Sequence, residues 1–360
     1  MLGQMRVLLV SAPLVGHVFP FVALGRALRD AGHEVLVATG GDGMAVTQSG
    51  LPVHDIAPGF RMAPIAMPIM LRHPLIARAE LAGRAGTRGV RLLFRAVNDR
   101  IAGAVTGLAR QWRPDLVIHE PLAVAGALAA SAVGVPAVLH ENSLFDGPTL
   151  VALFPEVPPV AAVISSAPPS VLPGRTGRLM RPVPYGGEAE LPTWLGTAGE
   201  RPRIAVSRST VTGGPGRDRL MDRVVAAAGA VDAEFVLIRP PREFAGPANV
   251  RSTGWVPVPE VLANCAGVVH HGGAGTTLAA LAAGVPQLVV NGAGDRRHNA
   301  ALVAARGAGL AVDERDVSAE VLSRLVTDPA LRAAAGEVRE EITAMPSPAA
   351  VVPFLESLRS

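Results

Sequence analysis

Val268-Val269-His270-His271-Gly272-Gly273-Ala274-Gly275-Thr276-Thr277 reads as the end of a buried strand, a turn of small residues and the start of a helix. The two valines follow Ala266-Gly267, and Leu278 to Ala283 continue as a helix that Gly284 closes. Backbone N–H groups in such a turn face an anion at the helix N-terminus. A histidine at the rim suits a diphosphate that leaves with charge on it. A glycine-rich turn that serves only packing has the same sequence, so the neighbours of the stretch decide between the two readings.

Outward from this turn, Ile204–Ser207, Phe235–Ile238 and Gln287–Val290 are further short apolar runs with helical segments between them. A similar series fills the first half of the chain. Met5 to Ser11 is a strand buried on both faces, followed by the loop Ala12-Pro13-Leu14-Val15-Gly16-His17. Phe21, Leu24 and Leu28 then mark a helix that stops at Gly32, and Glu34–Thr39 is the next strand. Val90–Trp112 has helical periodicity, with Leu93, Val97, Ile101 and Val105 on one face. Asp115–Glu120 is a strand ending in an acid, and a helix over Ala123–Ala132 and a strand at Ala137–His140 follow. Pro58–Arg88 and Phe145–Gly199 read as irregular, the former with Met62, Met67 and Met70 among prolines, a composition that suits either an adaptable apolar pocket or plain packing, and the latter with a last strand near Leu179.

This pattern predicts an α/β protein of two doubly wound, Rossmann-like domains facing each other across a cleft. The expected boundaries are 1–187 for the first domain, 188–199 for a linker and 200–345 for the second domain. Residues 346–360 form a C-terminal helix after the break at Met345-Pro346-Ser347-Pro348, placed to return to the first domain.

Composition narrows the function classes. In 360 residues, 49% are hydrophobic and 18% charged, which supports large cores and excludes disorder as the default. No uncharged apolar run reaches the roughly 18 residues of a spanning helix. No signal-peptide pattern precedes the first strand, and the single cysteine, Cys265, fits a reducing cytoplasm. The sequence contains no lysine, and its arginines are scattered rather than interleaved with aromatic residues. Nucleic acid is therefore not an expected partner. The missing G-x-G-x-x-G after the first strand argues against an NAD-dependent oxidoreductase.

Gly254-Trp255-Val256-Pro257, the His271 turn with Pro286-Gln287, and Asp295-Arg296-Arg297-His298-Asn299-Ala300 all fall in the second half. Together they resemble the donor-binding signature of nucleotide-sugar-dependent glycosyltransferases of the two-Rossmann (GT-B) fold. The likeness is closest to bacterial enzymes that glycosylate macrolide, enediyne or aromatic polyketide natural products, and it spans nearly the whole chain.

The resemblance implies roles residue by residue. Trp255 would stack on a uracil or thymine base while the backbone of Val256 reads its edge. His271, with Gly272, Gly273, Ala274, Gly275 and Thr276, would hold the diphosphate, and Ser209 and Thr210 match hydroxyl contacts to phosphate. Asp295 matches the acid that holds sugar hydroxyls, and Arg296 stands where the family usually has glutamine. In the first half, His17 matches the catalytic base, and Glu120 the acid that orients it. Val15, Gly16, Met62, Met67, Asn142 and Phe145 are the expected acceptor contacts.

The implied reaction is an inverting transfer of a deoxysugar from a nucleotide diphosphate, expected to be dTDP, to a hydrophobic aglycone. No resident cofactor or metal is expected, because no Asp-x-Asp or Cys/His cluster stands where the nucleotide would bind. A homodimer is compatible with the resemblance. Two alternatives stay open at this point. One is an epimerase of the same fold, which would form product without an acceptor; the other is a non-catalytic nucleotide-sugar-binding accessory protein, which would have no use for His17 and Glu120.

Overall fold

The computed structural model describes residues 3–81, 83–209 and 219–359. The first sheet contains β1 (Arg6–Val10), β2 (Glu34–Gly40), β3 (Val53–Ala57), β4 (Leu116–His119), β5 (Ala137–Glu141), β6 (Ala162–Ser165) and β7 (Arg178–Leu179). The second contains β8 (Arg203–Ser207), β9 (Glu234–Ile238), β10 (Val250–Thr253), β11 (Gly267–His270), β12 (Gln287–Val290) and β13 (Gly309–Val312). Among the described residues the strand orders are β3-β2-β1-β4-β5-β6-β7 and β10-β9-β8-β11-β12-β13. Every pairing is parallel. The protein therefore has two Rossmann-like sheets, each with its order reversing beside its first strand, between β1 and β4 and between β8 and β11.

Burial explains why these segments become strands. In β1, Val7 and Leu9 enter one apolar cluster while Leu8 and Val10 enter another across the sheet. In β8, Ile204 and Val206 pack on one side and Ala205 on the other. A strand covered on both faces has no polar side to alternate with, so its sequence is continuously apolar. The long helix over Thr87–Trp112 covers the first sheet with Phe94, Val97, Ile101 and Val105. Gly284 ends the helix Ala274–Ala283 in the left-handed region at φ 69°, which glycine adopts without a Cβ penalty.

Four strands were not expected from the sequence: β3, β6, β10 and β13. Three of them are sheet edges. Val-His-Asp-Ile-Ala and Val-Arg-Ser-Thr carry polar residues because an edge is partly solvated. Pro58–Arg88 also differs, since it contains helices at Ala63–Arg72 and Pro74–Leu81. The first of these has an internal Pro68 and no buried residue, so it lacks the apolar stripe that would reveal it.

The two halves meet through a mixed apolar cluster. Leu144 and Val171 of the first half pack with Leu278, Leu281, Val338 and Ile342 of the second. The helix Pro348–Glu356 places Val351, Val352 and Leu355 in the cluster that holds Met5, Leu24 and Leu28, so it packs on the first half. Arg359 follows it and pairs with Asp115 at 3.3 Å. Among the described residues no helix is long and apolar enough to cross a membrane.

Candidate active site

Ligands in open parallel sheets bind beyond the carboxyl ends of the strands, at the point where the strand order reverses. Both reversal points here open onto one cavity of about 730 Å³ between the two halves. Val10 of β1 is in register with His119 of β4, so the segments carrying His17 and Glu120 leave the sheet side by side. Ser207 of β8 is in register with His270 of β11, which places Ser209 near the His271 turn.

On the first wall, His17 lies in a single helical turn, Val15–Val18, where the sequence suggested a loop. Its Nδ1 is 3.1 Å from Glu120 Oε1, and the Glu120 side chain is fully buried. Glu120 also accepts from the N–H of Ala12 at 3.2 Å and from that of Leu122 at 2.7 Å. A carboxylate only accepts, so Nδ1 carries the hydrogen and Nε2 is the basic nitrogen. Burial alone lowers the His17 pKa, but the charge and hydrogen bond of Glu120 overcome it and the net shift is upward. Burial raises Glu120, and His17 with the two backbone donors brings it below its ordinary value. Phe94 lies against the imidazole, with ring centroids 5.4 Å apart.

Two further side chains fix the turn that carries His17. Asp42 accepts from the N–H of Val15 at 2.9 Å, and Asn142 donates to the carbonyl of His17 at 3.2 Å. Asn142 was an expected acceptor contact; its amide is engaged in holding the His17 turn while the residue still borders the cavity. Asp42 was missed because its partner lies 27 residues away and no local motif joins them.

On the second wall, the turn is held by the residues of its own motif. His270 is fully buried, accepts from the Gly272 N–H at 3.1 Å and donates from Nε2 to Gln287 at 2.8 Å. Burial lowers its pKa to about 4. Asn299 donates to the carbonyl of Gly272 at 2.8 Å and to Asp295 at 2.9 Å. The spacing Asp295-x-x-x-Asn299 thus ties the acid to the glycine turn, a function the sequence reading did not assign to Asn299.

The helix Ala274–Ala283 begins at Gly273 with no side-chain cap. The N–H groups of Ala274, Gly275 and Thr276 have no intrahelical partner, and these residues border the cavity. His271 also borders it, with Nε2 so close to Gly273 that a Cβ there would lie 2.5 Å away. Burial first, then the charge of Arg296, holds His271 well below its ordinary pKa. His271 is therefore a neutral hydrogen-bonding group near pH 7. Four arginines of this wall line the cavity: Arg208, Arg239 and Arg296, and also Arg297, which pairs with Asp313 at 3.3 Å.

Arg296 turns back over Gly292 and donates to Ser209 at 3.0 Å. Arg208 and Arg239 were missed by the sequence reading, since each is a single arginine beyond a strand end. Burial, and then the neighbouring charge of Arg208, lowers the Arg239 pKa. The Arg239 guanidinium lies 4.7 Å from the centre of the Trp255 ring. Trp255 is 43% exposed and donates to the Gly186 carbonyl at 3.2 Å, while Val256 beside it is buried and borders the cavity.

Among the remaining expected residues, Val15, Gly16 and Phe145 border the cavity. The structure does not bring Met62 and Met67 there. Met62 packs on the core of the first half, and Met67 is 60% exposed on the helix Ala63–Arg72. A methionine-rich segment indicated a pocket by composition alone; the cavity wall in this region is made by Gly83, Gly86, Thr87 and Val90 instead. Thr210 lies outside the described residues. Among the described residues no group of three or more His, Cys, Asp or Glu is placed to hold a metal ion.

Comparison with known proteins gives concordant results. Residues 26–146 match the N-terminal domain, and residues 222–358 the C-terminal domain, of the erythromycin biosynthesis protein CIII-like family. The chain is 38% identical to the elloramycin glycosyltransferase ElmGT of Streptomyces olivaceus, over 98% of this chain and 97% of that protein. Its fold superposes on the crystal structure of the glycosyltransferase SnogD from Streptomyces nogalater with a TM-score of 0.82 and 34% identity, covering 99% of this chain and 100% of that one. The glycosyltransferase SsfS6 of Streptomyces sp. SF2575, solved with thymidine diphosphate, gives a TM-score of 0.83 at 28% identity, with 98% and 100% covered. With two reversal points opening on one cavity and family matches in both halves, the chain belongs to the erythromycin biosynthesis protein CIII-like glycosyltransferases and is a GT-B glycosyltransferase of the antibiotic-pathway type.

Proposed function

We propose that the protein is an inverting transferase that moves a deoxysugar from dTDP to a hydrophobic aglycone, with His17 as general base. One observation carries this reading: a carboxylate-oriented histidine and an uncapped helix N-terminus border the same cavity from opposite halves. The acceptor enters beside Val90, Phe94, Leu122 and Phe145, an apolar wall suited to an aglycone. Its nucleophile gives a proton to His17 Nε2 and bonds to the anomeric carbon as the carbon–oxygen bond to the diphosphate breaks. Glu120 stabilises the imidazolium that forms.

The diphosphate takes the bonding electrons onto its leaving oxygen. The N–H groups of Ala274, Gly275 and Thr276 receive that charge, with His271 as a neutral donor and Arg296 as a cation. The base rests by Trp255 and Val256, and Asp295 accepts from sugar hydroxyls. The thymidine diphosphate bound by SsfS6 supports the choice of nucleotide. The test is the stereochemistry of the product. NMR coupling at the anomeric carbon should show a configuration opposite to that of the dTDP-sugar, and retention would exclude a single displacement with His17 as base.

A further inference from the structure

We infer that Glu80, from the acceptor half, is a positioning residue for the sugar end of the donor site; this rests on the reading of Asp295 as the sugar contact. Asp295 ends the loop Asn291–Asp295 between β12 and the helix Arg296–Arg306. That loop contains Gly292 and Gly294 and has little side-chain mass of its own to fix it. The N–H of Gly294, one residue before Asp295, donates to Glu80 Oε1 at 2.9 Å. Glu80 belongs to the helix Pro74–Leu81 of the other half.

A second contact lies beside the first. Gly83 has φ +64°, and a Cβ there would collide with the carbonyl oxygen of Gly292. The backbone of the first half therefore touches the donor loop at a point only glycine permits. Beyond Asp295, His298 donates to the Leu144 carbonyl at 3.1 Å, and its ring packs on Phe145 at 4.3 Å between centroids. The first half thus grips the segment carrying Asp295 and Arg296 on both sides. Gly83 and Phe145 also border the cavity, so the groups that steady the donor loop belong to the acceptor wall. The sugar grip is complete only when the two halves are closed on each other.

The experiment measures, on the full chain, the dissociation constants of dTDP and of dTDP-glucose, and takes their ratio as the contribution of the sugar. Asp295→Ala sets the scale by collapsing that ratio. Glu80→Ala should cut the dTDP-glucose affinity about five- to tenfold, as expected for one lost hydrogen bond, and leave dTDP unchanged. Gly83→Ala should do the same by displacing Gly292, at some cost in unfolding midpoint from the positive φ, whereas the midpoint of Glu80→Ala should be unchanged. Glu80→Gln keeps an accepting oxygen and should restore the wild-type ratio. Equal weakening of both ligands in Glu80→Ala, or no change in either, overturns the inference and leaves the sugar reading standing. If Asp295→Ala leaves the ratio intact, or wild type binds no dTDP, the sugar or nucleotide reading fails and the inference goes with it.

Discussion

Both strand-order reversals carry histidine, His17 after the first strand of its sheet and His270-His271 at the end of the fourth strand of the other, and the two settings give it opposite character. At the β1–β4 reversal, His17 faces Glu120 and its pKa rises. At the β8–β11 reversal, His270 faces the Gln287 amide and His271 lies near Arg296, and both pKa values fall. Burial lowers all three, and the neighbours differ: the Glu120 carboxylate outweighs burial and raises His17, the Gln287 amide raises His270 too little to offset it, and the Arg296 charge lowers His271 further. In the proposed reaction this divides the labour, one wall taking up a proton and the other taking up negative charge without titrating. Each wall can be disturbed separately.

The largest effect is expected at the proton-accepting wall. His17→Ala should lower kcat by about 10²- to 10⁴-fold, the usual worth of a positioned general base, while the affinity for dTDP stays at the wild-type value. Near-full turnover with an intact fold would remove His17 from the chemistry. The opposite wall should show the opposite split. Gly273→Ala would place a Cβ 2.5 Å from His271 Nε2, and the ring has to move. The affinity for dTDP should then fall about 10- to 100-fold, the range for a lost hydrogen bond to a charged group. Calorimetry decides this, and unchanged binding would mean that His271 does not touch the diphosphate.

The two walls also differ in how far their sequence could be read. The donor wall is legible because its parts are contiguous: strand, turn and helix follow each other from Val268 to Ala283, and Asp295 and Asn299 share one helix start. His17 and Glu120 are separated by 103 residues, and they come together only because β1 pairs with β4. The family resemblance singled out both residues, but nothing local pointed to Asp42 or to the anchoring role of Asn142. Strands buried on both faces announced themselves, while the polar edges β3 and β10 did not. Met62 and Met67 show the limit of composition, since helical packing turned one to the core and the other to solvent.

The smallest change is expected in binding as a function of pH, and it separates the walls most directly. A base works only when unprotonated. Because Glu120 raises the His17 pKa above its ordinary 6.5, kcat should climb with pH and its acid limb should inflect above that value. Glu120→Gln removes the charge that raises it, so the limb should move to lower pH. The maximum rate should fall as well, because an amide cannot accept from His17, Ala12 and Leu122 together; it must turn its NH₂ against at least one of these donors. In His17→Ala, where the one group expected to titrate is gone, affinity for dTDP-glucose should stay flat across the same range. His271 is already neutral there, the arginines remain charged, and the diphosphate of a nucleotide-sugar has no proton to lose near neutrality. A rise in affinity as pH falls through 6.5 would mean that His271 binds as a cation, and the opposition between the two walls would then be one of position and not of charge.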